Sequence, residues 1–382
     1  MSEPSGNPLV AAIGPSVIRA MYERRRDTSI DLSMGQPTLP PDMQPFGEAM
    51  DWIRDNGAPY APNTGHPELR EAIAHIYGRS EHNASNVCVT NGSQEGIYLA
   101  VKALLDPRSD SVLVTDPSYP SYARCCDLEG VAHRAVLLDP KDGFAINAAA
   151  LLAAIDPSTR MIILGSPANP TGTVMPEREL RALADGLASR TGPPVWVVVD
   201  EVYRELCFTD APYASLTDVY PHTLALHSFS KSCALTGMRI GFVVGPAAAI
   251  SAIARVHALM LMSVNVFAQH VALAIVRQPA RLRAHHDWYA RQRKLVTDLA
   301  AQHQLPIVEP QGAFYAMLVL PERWKDSQQA ADRALERYDV VTVPGWIFGK
   351  TAEGYLRLSW SAQPADVATG LERLAEFCSS ER

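Results

Sequence analysis

Lys231 closes the segment Leu226-His227-Ser228-Phe229-Ser230-Lys231, just past a short apolar run. A lysine in such a position is rarely buried unless it is paired or has reacted. Desolvation lowers the basicity of its amine and makes it nucleophilic, which suits a covalent imine to a carbonyl compound; for the residue alone, a solvated surface lysine is the plainer reading. Asp200 follows the five apolar residues Val195-Trp196-Val197-Val198-Val199. A carboxylate ending a buried strand needs a donor or cationic partner, and a helix cap, a structural salt bridge or a protonated ring nitrogen would each serve. Gly92-Ser93-Gln94 runs straight into a helix carrying Ile97 and Val101, so its free N–H groups and the helix dipole favour an anion such as phosphate. Ser228 and Arg239 flank Lys231 with a hydroxyl and a guanidinium, which would complete a phosphate cup through charge-assisted hydrogen bonds.

The elements that must position these groups follow an α/β rhythm. From about residue 86 to 245, short β-branched runs alternate with amphipathic helices, the pattern of a mostly parallel sheet covered by helices. Seven strands are expected: Val87–Thr90, Ser111–Thr115, His133–Leu138, Met161–Leu164, Val195–Val199, Thr223–His227 and Ile240–Val244. Between them Leu180, Leu183, Ala184, Leu187 and Ala188 make one stripe on a helix opened by Pro176. Ligands of such sheets sit beyond the carboxyl ends of the strands. Five exits carry polar or aromatic groups: Thr90–Gln94, Asp116–Tyr119, Ser166–Gly172, Asp200–Tyr203 and Ser228–Lys231. Any one of them reads as an ordinary turn; five converging on one edge read as a site. After about residue 280 a charged helix is expected over Arg281–Gln302, then strands near Ile307–Val308 and Ala313–Val319. The expected organisation is a large domain over 42–280 and a smaller α/β domain from 1–41 and 281–382.

Composition excludes several classes. The 382 residues are 47% hydrophobic and 20% charged, which is globular, and the net charge of −7 offers no footprint for nucleic acid or an anionic membrane. No apolar run approaches the roughly 18 residues of a membrane helix. Arg24-Arg25-Arg26 lies after the short run Leu9–Ile13, which is the wrong side for a secretion signal, so a cytoplasmic location is expected. Six cysteines without a CxxC spacing, and histidines without HExxH, give no disulfide framework and no metal site.

Tyr60-Ala61-Pro62-Asn63-Thr64-Gly65, Ser166 to Gly172, Asp200-x-x-Tyr203, and Ser228-Phe229-Ser230-Lys231 with Arg239 resemble the class I/II aminotransferases, pyridoxal-phosphate enzymes of fold type I. The resemblance runs from Gly35 in Ser33-Met34-Gly35-Gln36-Pro37 to Arg357 in Tyr355-Leu356-Arg357-Leu358-Ser359. It implies pyridoxal 5'-phosphate held covalently by Lys231, with Asp200 on the ring nitrogen, Tyr203 and Asn169 on the phenolic oxygen, and Tyr119 stacked on the ring. Gly92, Ser93, Gln94, Ser228, Ser230 and Arg239 would hold the phosphate, and Tyr60 would reach it from the partner subunit of a homodimer. Arg357 would clamp the substrate carboxylate, with Gly35 and Asn169 in the substrate pocket. The implied reaction moves an amino group from an α-amino acid to a 2-oxo acid.

Other readings are weaker. No GxGxxG follows a strand, which argues against a dinucleotide-dependent oxidoreductase. Gly345-Trp346-Ile347-Phe348-Gly349-Lys350-Thr351 has three residues between its glycines where a phosphate loop needs four, and it follows Pro344 instead of a clear strand. A regulator built on the same domain would need a DNA-binding module, and only about 30 residues precede Gly35. A lyase, a cyclase or another specialised enzyme of the same fold shares every cofactor motif and stays open at this point. No arginine stands between Arg255 and Arg277, and Leu259 to Met262 with Val264 is apolar. Some dicarboxylate-specific relatives carry a second arginine thereabouts, so a donor without a second carboxylate is expected.

Overall fold

The computed structural model describes residues 6–380; residues 1–5 and 381–382, the outer ends of the expected small-domain segments, lie outside it. Its centre is a seven-stranded sheet. In spatial order the strands are Val87–Thr90, Gly241–Val244, Thr223–Ser228, Trp196–Asp200, Thr159–Gly165, Ser111–Asp116 and Ala132–Leu137. Gly241–Val244 runs antiparallel to both its neighbours and the other pairings are parallel. All seven expected strands are present, shifted at their ends by at most two residues. β-Branched residues suit a pleated surface buried on both faces, and Val197 to Val199 are covered from both sides.

Helices close each face. The helix Glu177–Ala188 buries Leu180, Leu183, Ala184 and Leu187, whereas Ala188 is exposed because the helix stops there at its Ser189 cap. On the opposite face lie Ser93–Leu104, Ser121–Glu129 and Ala247–Leu261, packed over Val112, Val114, Ile163 and Val198. Among the described residues no helix is long and apolar enough to cross a membrane.

A second body is built on the four-stranded antiparallel sheet Val343–Pro344, Tyr355–Ser359, Tyr315–Val319 and Ile307–Val308, with the helices His286–Gln302, Ser327–Tyr338 and Pro364–Ser380 around it. The N-terminal strand Ile30–Asp31 joins it by pairing with Val340–Val341. Three expectations change here. The charged helix starts at His286, because Pro279 sets a 3-10 turn over Pro279–Arg283 and Arg281 is drawn back by Asp42 and Glu48. The expected strand over Ala313–Val319 starts at Tyr315, because Ala313 has a left-handed φ of 60° that extended backbone excludes. Val343–Pro344 is itself a short strand, and the turns after it give their N–H groups to the protein's own anion: Lys350 N and Thr351 N donate to the Asp116 carboxylate at 2.8 and 3.0 Å.

Candidate active site

Sheet register determines where the chemistry gathers. Gly165 lies level with Asp200, Asp200 beside Leu226, and both Thr90 and Ser228 lie opposite Gly241, so the strand exits open at one edge. A cavity of about 320 Å³ occupies that edge. It is lined by Gly35, Ser93, Gln94, Tyr119, Asn169, Asp200, Tyr203, Ser228, Ser230, Lys231, Arg239 and Arg357, twelve of the fourteen residues singled out from the sequence. Gly92 does not line it; it caps the helix Ser93–Leu104 at φ +78°, and a Cβ there would meet Arg239 Nη2 at 2.7 Å. Tyr60 stands on the surface, 82% exposed, and takes no part in this chain's own cavity.

Each side chain has a definite partner. Lys231 Nζ donates to the Gly35 carbonyl at 2.6 Å. Burial, with Arg357 and Arg239 adding to it and Asp200 opposing, lowers its pKa to about 8. Asp200 is almost fully buried; its Oδ2 accepts from Tyr122 Oη at 2.9 Å, and burial raises its pKa to about 6. Ser228 Oγ lies 2.8 Å from Ser230 Oγ and accepts from Ser230 N at 3.1 Å. Arg239 donates to the Thr236 carbonyl at 3.0 Å and to the Asn91 carbonyl at 3.4 Å, which holds its guanidinium against the helix N-terminus. Tyr119 Oη donates to Gln94 Oε1 at 3.1 Å.

Arg357, on the strand Tyr355–Ser359, is 1% exposed. Its Nη1 donates to Asn169 Oδ1 at 3.0 Å and its Nη2 to the Ser33 carbonyl, while Nε has no hydrogen-bond partner among the described residues. A buried guanidinium on the wall of a cavity, with its donors not all taken, is suited to a carboxylate.

Together these groups offer an amine of lowered basicity, a buried carboxylate, a helix N-terminus with two serines and an arginine, and a second arginine for an acid. Residues 28–374 match the family described as aminotransferase class I and II. The chain belongs to that family. It is an aminotransferase, and the family is generally pyridoxal-phosphate-dependent. It is 30% identical to the aspartate aminotransferase of Pyrococcus horikoshii, over 98% of this chain and 97% of that one. It is 33% identical to the arginine–pyruvate transaminase AruH of Pseudomonas aeruginosa, over 91% and 87% of the two chains. The solved structure of the aspartate aminotransferase from Thermus thermophilus with maleate superposes with a TM-score of 0.91 at 30% identity, covering 98% of this chain and 100% of that one.

Four residues of this aminotransferase's cavity lie outside every segment read from the sequence as the site, Tyr122, Tyr315, Ile18 and Thr236, while Met34, Gln36, Pro167 and Val202 lie within such segments without having been singled out. Tyr122 had only a weak signal, its place three residues after Tyr119 in the first turn of the helix Ser121–Glu129. Tyr315 had none beyond membership of a strand. Conversely, the apolar segment thought to shape the substrate pocket does not line it in this chain: Leu259, Met260, Leu261 and Met262 are on the surface, Leu259 at 91% exposure, because their helix ends at Leu261 facing outward.

Proposed function

We propose that this aminotransferase uses pyridoxal phosphate bound through Lys231, and that its amino donor is an α-amino acid without a second carboxylate. The observation that carries the reading is the convergence on one cavity of Lys231 Nζ, the Asp200 carboxylate, the helix N-terminus at Ser93 and Arg357. The donor set fits the cofactor: a lysine whose basicity burial has lowered, and a carboxylate whose Oδ1 has only a long 3.4 Å contact from Val202 N and so keeps room for a cationic N–H. When bound, the cofactor supplies an electron sink for charge developing at the amino acid Cα.

The chain's own residues do the rest. Asp200 would keep a proton on the ring nitrogen, and Tyr203 and Asn169 would serve the phenolic oxygen. Ser93, Gln94, Ser228, Ser230 and Arg239 would hold the phosphate and Tyr119 would cover the ring; Gly92 N donates to the Thr90 carbonyl at 2.9 Å, so Gly92 would serve by shaping the turn into the helix. Arg357 holds the α-carboxylate with Asn169 and the Gly35 segment beside it, so that the Cα–H bond keeps one orientation. Lys231 Nζ would take and return the Cα proton.

The donor class follows from charge. Among the described residues, the cationic side chains lining the cavity are Lys231, Arg239 and Arg357, and each already has a role. Within this chain's own lining a distal carboxylate would find no further cation, and burying it unpaired is costly. A leucine-sized side chain gains about 1.5–3 kcal/mol on burial, so apolar or aromatic donors are expected to exceed aspartate in kcat/KM by at least roughly tenfold. A donor panel with pyruvate or 2-oxoglutarate as acceptor measures this. Aspartate in the lead refutes the donor class, and product without any acceptor points to a lyase instead.

The working form is a cytoplasmic homodimer with shared sites. In support, Tyr60 and the Leu259–Met262 surface are large apolar groups left in water, as an uncovered interface would leave them. Lys231→Ala and Tyr60→Ala proteins, each impaired alone, are expected to regain activity when mixed, because the hybrid carries one site with an intact Lys231 and the other chain's Tyr60. No gain on mixing, with subunit exchange verified, rules out sharing.

A further inference from the structure

Tyr315 is buried at 2% exposure and begins the strand that pairs with Tyr355–Ser359, lying opposite Ser359 and therefore diagonal to Arg357. Its ring lies under the Arg357 guanidinium, with Cζ 4.3 Å from the ring centroid. Its hydroxyl is 3.0 Å from the Tyr203 hydroxyl. The same oxygen fills the space in front of Gly35, where a Cβ would lie 1.8 Å from it, and the Gly35 carbonyl is the acceptor for Lys231 Nζ. One side chain thus touches the carboxylate clamp, the proposed partner of the cofactor oxygen, and the backbone that holds the lysine.

The geometry points to Tyr315 as a positioning residue that holds the Arg357 guanidinium with its ring and directs the Tyr203 proton with its hydroxyl. This rests on the cofactor reading proposed above. A phenol carries one proton. If Tyr203 gives its proton to the cofactor oxygen, its own oxygen is free to accept, and Tyr315 is the hydroxyl within reach. A donor behind a donor strengthens the forward hydrogen bond. Removing it leaves more negative charge on the cofactor oxygen, which holds a neighbouring proton on the Lys231 nitrogen more tightly. The ionisable groups facing the pair are Asp200 and Lys231 from the sheet exits, Tyr119, Tyr289 from the helix His286–Gln302, and Arg357. Gly35 is glycine because the Tyr315 hydroxyl needs its Cβ position.

Two substitutions separate the roles. Tyr315→Phe keeps the ring and loses the hydroxyl; the visible absorbance band of the bound cofactor is expected to titrate about 0.5–1 pH unit higher than in the wild type, with KM for the amino acid unchanged within about threefold. Tyr315→Leu also loses the ring, and KM is expected to rise a further 2- to 30-fold, roughly the range of a cation–π contact. Gly35→Ala, whose Cβ would meet the Tyr315 hydroxyl at 1.8 Å and Cζ at 2.9 Å, is expected to shift the band in the wild type and to shift it less in the Tyr315→Phe background, where of these two only the Cζ contact remains. An unshifted band in Tyr315→Phe together with an unchanged KM in Tyr315→Leu overturns the proposal. A wild-type protein that forms no visible band with pyridoxal phosphate refutes the cofactor reading instead, so the two failures are distinct.

Discussion

Lys231→Ala is expected to fold, to keep the cavity, and to lose at least about 10³-fold in kcat, since a positioned acid–base group alone contributes about 10²–10⁴-fold. The substitution also removes the only lysine among the described residues that line the cavity, so borohydride reduction of wild-type protein with pyridoxal phosphate is expected to tag Lys231, and the variant to take up no tag there. Because burial brings the amine to a pKa of about 8, its neutral fraction grows as pH rises through that value. Apoprotein is therefore expected to capture pyridoxal phosphate faster as pH rises, levelling off above pH 8. The same depressed pKa makes the folded state hold fewer protons than the unfolded one between the two values, so the penalty this charge places on folding is relieved as pH climbs from about 8 toward 10.5. A tag on Lys350, or a capture rate flat across pH 8, would falsify the assignment of the anchor.

Asp200→Asn is expected to divide activity from stability. Hydrogen bonds between charged partners contribute about 1.5–3 kcal/mol, so weakening the pairing with the ring nitrogen lowers kcat by about 10- to 100-fold. The apoprotein moves the other way. Burial raises the Asp200 pKa from 3.8 to about 6, so the folded state binds the proton more tightly, and stability from this group is lost as pH rises through that window. At neutral pH the charged carboxylate costs the cofactor-free fold up to about 3 kcal/mol, and asparagine removes that cost while keeping an acceptor for Tyr122 Oη. Cofactor-free Asp200→Asn protein is thus expected to melt above the wild type at pH 7 and to match it below about pH 4, where both are uncharged. Thermal melts at the two pH values, beside steady-state kinetics, check both halves. Equal melting at neutral pH, or near-native turnover, would show that the carboxylate is held by protein partners and serves structure.

The stability cost at Asp200 and the depressed basicity of Lys231 share one origin. Both groups lie at strand ends where the sheet and its covering helices exclude water, and their charges are incompletely met by protein partners. A site built this way holds binding capacity in reserve for a ligand that carries the complementary charges.

The sequence by itself determined the strands, the exits and most of the site. β-Branched runs separated by amphipathic helices admit few arrangements other than a parallel sheet with its exits on one edge, so Gly92, Asn169, Asp200 and Lys231 could be assembled without coordinates. That inference is local at every step: each residue is placed by its own strand and turn. What only the tertiary structure decided are contacts between chain segments far apart. Tyr315 reaches Tyr203 across 112 residues, Lys231 reaches Gly35 across 196, and Arg357 reaches Asn169 across 188. No periodicity encodes such pairs, because they depend on how the second body packs against the first. The same holds for Leu259 to Met262, whose apolar character was plain in the sequence but whose direction was not: a helix end at Leu261 turned them outward, and only packing chooses that direction.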